Sequence, residues 1–141
     1  MAVYFSSTVK IKTPAKKALS AWVEKIVASE KRALKTISYT FCTDEELLQK
    51  NRQFLNHSTY TDIITFDYSE ENSLSGEIYI STERVRENAE KFNVRFTDEL
   101  MRVMAHGVLH LCGYKDKSPI QQKQMRAAEN RAIRLFNPLT S

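Results

Sequence analysis

Leu100-Met101-Arg102-Val103-Met104-Ala105-His106-Gly107-Val108-Leu109-His110-Leu111-Cys112-Gly113 is apolar at nearly every angle of a helical wheel. A helix that is hydrophobic all round is buried rather than laid on a surface. The fold is therefore expected to close around a C-terminal helix running from about Asp98 to Cys112. Gly113 stands where such a helix stops on a left-handed residue. The polar positions form one stripe at four-residue steps: Asp98, Arg102, His106 and His110. Buried polar groups need partners, since an unsatisfied one costs about 1–3 kcal/mol. Arg102 is expected to pair with Asp98, one turn away. Two imidazoles one turn apart satisfy each other poorly, but they share a face and can share a metal ion.

Outward from this helix, the pattern changes to strands and shorter helices. Val3 to Ile11 reads as a strand, with Val3, Phe5, Val9 and Ile11 on one face. Thr13 followed by Pro14 predicts a capped helix start, and apolar residues from Ala15 to Val27 follow at helical spacing. Ile37 to Cys42 alternates as a strand, and Thr43-Asp44-Glu45-Glu46 is a capping-box pattern for a helix to about Phe54. Asp62 to Phe66 and Glu77 to Ser81 read as further strands. A helix from Thr82 to Phe92 would carry Val85, Ala89 and Phe92 on one side. Ser118-Pro119-Ile120-Gln121 opens a last helix to about Phe136 with a second capping box. The expectation is an α+β fold: one domain over 1–141, with about four strands in a mixed sheet and about five helices.

Composition narrows the class. The 141 residues suit one domain, and 42% hydrophobic content is enough for a core. No stretch approaches the roughly 20 apolar residues of a membrane-spanning helix. Met1-Ala2-Val3-Tyr4-Phe5 lacks the basic and apolar regions of a signal peptide, and two cysteines are too few for a disulfide framework. These features suggest a cytoplasmic protein without a membrane partner. The net charge of +4 is compatible with a polyanion but does not demand one.

The histidine helix supplies the chemistry. Past Gly113 the chain turns through Tyr114 and Lys115 to Asp116, six residues beyond His110. His106, His110 and Asp116 would make three corners of a tetrahedral zinc site, one ion per chain, with the fourth corner open to water. The spacing follows the metzincin pattern H-E-x-x-H-x-x-G-x-x-H at both histidines and the glycine. Gly107 replaces the glutamate that acts as general base in zinc proteases, which demotes peptidase chemistry. A phosphodiester asks less of such a base, because zinc polarises the phosphoryl oxygen while basic groups hold the phosphates. Lys115 and Lys117 straddle Asp116 and are the nearest candidates to contact those phosphates, and so RNA if the substrate is RNA.

His106-Gly107-Val108-Leu109-His110-Leu111-Cys112-Gly113-Tyr114 resembles the H-G-x-L-H-L-x-G-Y-D-H signature of the YbeY family, bacterial metal-dependent endoribonucleases. Asn51 to Phe66 resembles that family's L-N-x-x-Y-R-x-x-D-x-x-T-D-V-L-S-F stretch, and Gly76 to Ser81 its G-D-I-x-I-S strand. The resemblance implies a zinc-dependent single-strand endoribonuclease that matures ribosomal RNA, at the 3′ end of 16S rRNA, in the cytoplasm. It implies RNA, as rRNA or ribosomal particles, as the partner. Asp116 stands where the family has its third histidine, and Leu55 where it has an arginine. Arg52 is then the nearest candidate for that arginine's work.

Weaker candidates complete the set. His57 precedes the third strand and could meet substrate, and Glu77 is a possible proton acceptor. Thr61 and Asp62 could support the metal ligands or merely start a strand. Cys112 reads as a core thiol, about 200° round the helix from His110, and Tyr114 as a packing residue. The competing functions are a zinc hydrolase of another class and a non-catalytic, metal-stabilised RNA- or ribosome-binding protein.

Overall fold

The structure, a computed structural model, describes residues 2–55 and 61–139, apart from the side chains of residues 54 and 55. His57 lies outside the described residues. The elements are β1 (Val3–Ser7), α1 (Lys16–Ser29), β2 (Leu34–Cys42), α2 (Asp44–Leu55), β3 (Ile63–Asp67), β4 (Leu74–Ser81), α3 (Thr82–Lys91), α4 (Phe96–Leu111) and α5 (Pro119–Arg134). The strands form one mixed sheet in the order β1-β2-β4-β3. β1 and β4 run parallel to β2, and β3 is antiparallel to β4, with Ile63 opposite Ile80. The α+β expectation holds: the described residues form a four-stranded mixed sheet with five helices.

Alternation along the strands decides which helices pack where. Ile37, Tyr39 and Phe41 of β2 and Ile78 and Ile80 of β4 point into one large core with Leu100, Met104, Val108 and Leu109 of α4. Trp22, Val23 and Ile26 of α1 and Met125, Ala128 and Ala132 of α5 close the same core. Side chains of this size stabilise the fold by about 1.5–3 kcal/mol each when fully buried. On the opposite face a smaller cluster of Cys42, Leu47 and Ile64, backed by Phe66 and Tyr79, seats α2. Two buried polar tips tie the layers: Tyr39 Oη donates to the Met104 carbonyl at 2.9 Å, and Trp22 Nε1 to the Ala132 carbonyl at 2.7 Å.

Both capping boxes form. Glu46 Oε1 accepts from the Thr43 N–H at 3.0 Å while Thr43 Oγ1 accepts from the Glu46 N–H at 3.1 Å. Ser118 and Gln121 do the same for α5, with Pro119 at its first position. The Thr13 cap does not form. Thr13 Oγ1 donates to the Pro14 carbonyl at 2.9 Å, and α1 begins at Lys16 behind Ala15, which offers no side-chain cap. β1 is shorter than expected, because Ser7 Oγ donates to the Val9 carbonyl and turns the chain out of the sheet. Val9 and Ile11 still pack against the core from the loop. β2 and β4 begin earlier than their alternation suggested, at Leu34 and Leu74. Phe92 also departs from expectation, being 55% exposed rather than beside Val85 and Ala89 in the core.

Candidate metal centre

α4 is held closely against the sheet at its glycine. A Cβ on Gly107 would lie 2.9 Å from Ile63 Cδ1 and 3.0 Å from Ile78 Cγ2. The position that bears a catalytic glutamate in zinc proteases thus points into packed sheet, with no room for a carboxylate. His106 and His110 are partly exposed, on a face of α4 about 80° round the helix from Gly107. At its end Gly113 takes φ +113°, the Tyr114 N–H bonds the Leu109 carbonyl at 3.0 Å, and the Gly113 N–H bonds the His110 carbonyl at 3.0 Å. This left-handed stop turns the chain back so that Asp116 faces the two rings.

The three side chains converge. His106 Nε2 lies 3.2 Å from Asp116 Oδ2, and His110 Nε2 lies 3.3 Å from the same oxygen. One donor atom from each of His106, His110 and Asp116 lies within 4.8 Å of the others, and together they could hold a metal ion. The far nitrogens explain why they would. His106 Nδ1 is 2.7 Å from Glu129 Oε2, and His110 Nδ1 is 2.9 Å from the Tyr114 carbonyl. Both Nδ1 atoms face acceptors and so carry the protons of the neutral rings. Each Nε2 then presents a lone pair to a carboxylate oxygen. Acceptors aimed at one point are satisfied by a positive charge between them, a metal ion or a proton on Nε2, so the donor set can hold a metal.

Glu129 is the partner that sequence reading missed. It is 5% exposed on α5 and also accepts from Arg102 Nη1 at 2.9 Å. Burial alone would raise the Glu129 pKa, but hydrogen bonds from His106 and Arg102 outweigh it and hold the carboxyl below its usual range. Burial resists a charge on His106, yet Glu129 and Asp116 together push its pKa up on balance. A signal for Glu129 did exist: it falls among Met125, Ala128 and Ala132, on the buried stripe of an otherwise amphipathic helix. Arg102 is correspondingly not Asp98's partner. It bonds Glu129 and, at 2.9 Å, Asn130 Oδ1, while the exposed Asp98 approaches Arg95 at 4.0 Å. The expected pairing along the helix loses because α5 brings a buried carboxylate to Arg102.

The family model described as Endoribonuclease YbeY matches residues 4–137. The chain belongs to this family. It is 53% identical over 116 residues to an endoribonuclease YbeY of Flavobacterium psychrophilum, covering 82% of this chain and 83% of that one. A Parabacteroides distasonis protein of the same name is 44% identical over 133 residues, covering 94% of each chain. The solution structure of TM1509 from Thermotoga maritima superposes with a TM-score of 0.67 at 29% identity, covering 94% of this chain and 87% of that one. The YbeY signature quoted above thus falls on α4 and the loop after it, and the G-D-I-x-I-S-like stretch falls on β4.

The remaining candidates scatter. Asp62 lines a cavity of about 360 Å³ together with His106 and Asp116, and burial raises its pKa. Thr61 Oγ1 donates to the Ile63 carbonyl at 3.5 Å, at the start of β3. Glu77 is not brought to the histidines. It alternates with Ile78, so it occupies the face of β4 turned away from α4, where it accepts from Tyr68 Oη at 3.1 Å. Arg52 is exposed on the last turn of α2, the helix on that far face, and does not line the cavity. Lys115 and Lys117 are exposed, and Lys115 lines a separate hollow with Glu30 and Tyr114 rather than the cavity beside His106. Tyr114 packs as expected, donating from Oη to Glu30 Oε1 at 2.9 Å. Cys112 is a partly buried thiol whose pKa burial pushes up to about 11.

Proposed function

We propose that the protein is a zinc-dependent endoribonuclease that matures ribosomal RNA at the 3′ end of 16S rRNA, acting in the cytoplasm as a single domain over 1–141. The observation that carries the reading is the convergence of two Nε2 lone pairs and one carboxylate oxygen on a point, with each Nδ1 already engaged. The spacing accommodates zinc. Tetrahedral bonds of about 2.0–2.1 Å set ligand atoms about 3.3 Å apart, and the two separations from Asp116 Oδ2 are 3.2 and 3.3 Å. A carboxylate in place of a third imidazole also makes harder metals more competitive. Zinc at His106, His110 and Asp116 would polarise a phosphoryl oxygen and lower the pKa of a water. Glu129 and the Tyr114 carbonyl fix the ring orientations, and Asp62 is a carboxylate on the same cavity wall.

Membership of the Endoribonuclease YbeY family supports RNA as substrate, and rRNA or ribosomal particles as its source. Among the helices of the described residues, none is long and apolar enough to cross a membrane. The packing around Gly107 weighs against a protease of the glutamate type. The test is metal analysis of the purified protein with parallel assays on structured rRNA and on casein. About one zinc per chain with RNA cleavage is expected. Cleavage of casein alone, or RNA binding without cleavage, would replace this reading by the peptidase or the non-catalytic one.

A further inference from the structure

Phe92 is a large apolar side chain that the helical pattern assigns to the core and the fold leaves outside it, 55% exposed. Its backbone is fixed by the helix end. Phe92 caps α3, and Asn93 takes the left-handed φ of 56°. The Val94 N–H bonds the Ala89 carbonyl at 2.9 Å, and the Asn93 N–H bonds the Glu90 carbonyl at 3.2 Å. A helix end closed by both bonds leaves its capping residue little freedom. The ring lines the cavity that also holds His106 and Asp116. At about 360 Å³ this cavity is at the lower end of small-molecule sites, about 300–1,000 Å³.

Two arginines line the same cavity. Arg102 is spent on Glu129 and Asn130, each at 2.9 Å. Arg126 is 59% exposed and reaches Glu129 Oε1 with one terminal nitrogen at 3.5 Å, so its guanidinium can meet an incoming anion. The buried Glu99 and the partly buried Asp62 line the cavity as well. Carboxylates there repel a phosphate and accept hydrogen bonds from hydroxyl or amino groups. A ligand with an anionic end at Arg126 and donor groups at the carboxylates suits this arrangement.

We propose that the cavity beside His106 is a nucleotide subsite, which seats one nucleotide next to the scissile phosphate with its base stacked on Phe92 and its phosphate on Arg126. The inference rests on the endoribonuclease reading and deepens it. Stacking on a protein ring needs a base free of its neighbours, so the substrate is single-stranded at this position. Lys115 and Lys117, outside the cavity, carry less of the binding than Arg126.

The test uses zinc-loaded protein and a short fluorescent single-stranded RNA with methylated 2′-hydroxyls, which binds uncut. Phe92→Ala should weaken binding roughly five- to hundredfold, and Phe92→Trp should preserve it. Zinc content and melting should be unchanged in both. Moving one abasic nucleotide along the RNA should locate a position where the native protein loses affinity and Phe92→Ala loses nothing more. Arg126→Ala should reduce the salt slope by about one. Unchanged binding by Phe92→Ala, or additive losses at every abasic position, overturns the subsite. So does a loss confined to the Lys115→Ala, Lys117→Ala double variant. A native protein that cuts RNA while Phe92→Ala binds normally sinks this proposal alone. A native protein that neither binds nor cuts RNA sinks the endoribonuclease reading with it.

Discussion

Asp44 and Asp116 are both partly buried aspartates at the edge of the core, and they differ in what faces them. Asp44, at the start of α2, accepts from Ser81 Oγ at 2.8 Å and from Arg84 Nε at 3.0 Å. Every one of those contacts pairs a donor with an acceptor, and the network is complete as it stands. Asp116, beyond α4, faces two imidazole nitrogens whose protons sit on the far side of each ring. Its neighbourhood is completed by a metal ion, or by a proton on one of the two Nε2 atoms. A carboxylate near histidines is thus a weak sign of a metal, whereas acceptors aimed at acceptors are a stronger one.

The largest effect that can break this contrast comes from His106. His106→Ala should abolish stoichiometric zinc binding, because two remaining ligands hold the ion poorly. Full occupancy in that variant, by metal analysis, would place the ion elsewhere. Chelating the native protein should lower its melting temperature, since a ligand present at a hundred times its Kd adds about 2.7 kcal/mol to the folded state. The His106→Ala variant should melt at the same temperature with or without chelator.

Next is Glu129→Gln, which keeps the shape but weakens the hydrogen bond that sets the His106 ring. Partners of this kind typically contribute ten- to hundredfold in metal affinity or activity, and a competition titration with a chromogenic chelator would measure it. Asp116→His should tighten zinc several-fold by restoring a three-imidazole site. Lower affinity and lower activity together would mean that Asp116 does not touch the ion. The smallest effect belongs to the other side of the comparison. Asp44→Asn should cost about 1 kcal/mol of stability in denaturant unfolding and leave zinc content unchanged. A change in zinc content there would mean that the two carboxylates are coupled.

From the sequence alone came the buried C-terminal helix, both capping boxes and the His106, His110, Asp116 spacing, because each depends on residues within one or two turns of one another. Periodicity of 3.6 puts both histidines on one face whatever the helix packs against. A glycine past the last turn tells where the chain must reverse. The tertiary structure decided the rest. Glu129 meets His106 across 23 positions of chain and Arg102 across 27, a juxtaposition set by how α5 docks on α4. The same docking took Arg102 from Asp98. Strand alternation turned Glu77 away from the histidines, and the end of α3 left Phe92 outside the core. Local rules give the direction of a side chain relative to its own helix or strand. Its partner across the core is set by the packing of whole elements, to which every residue contributes and which no single stretch encodes.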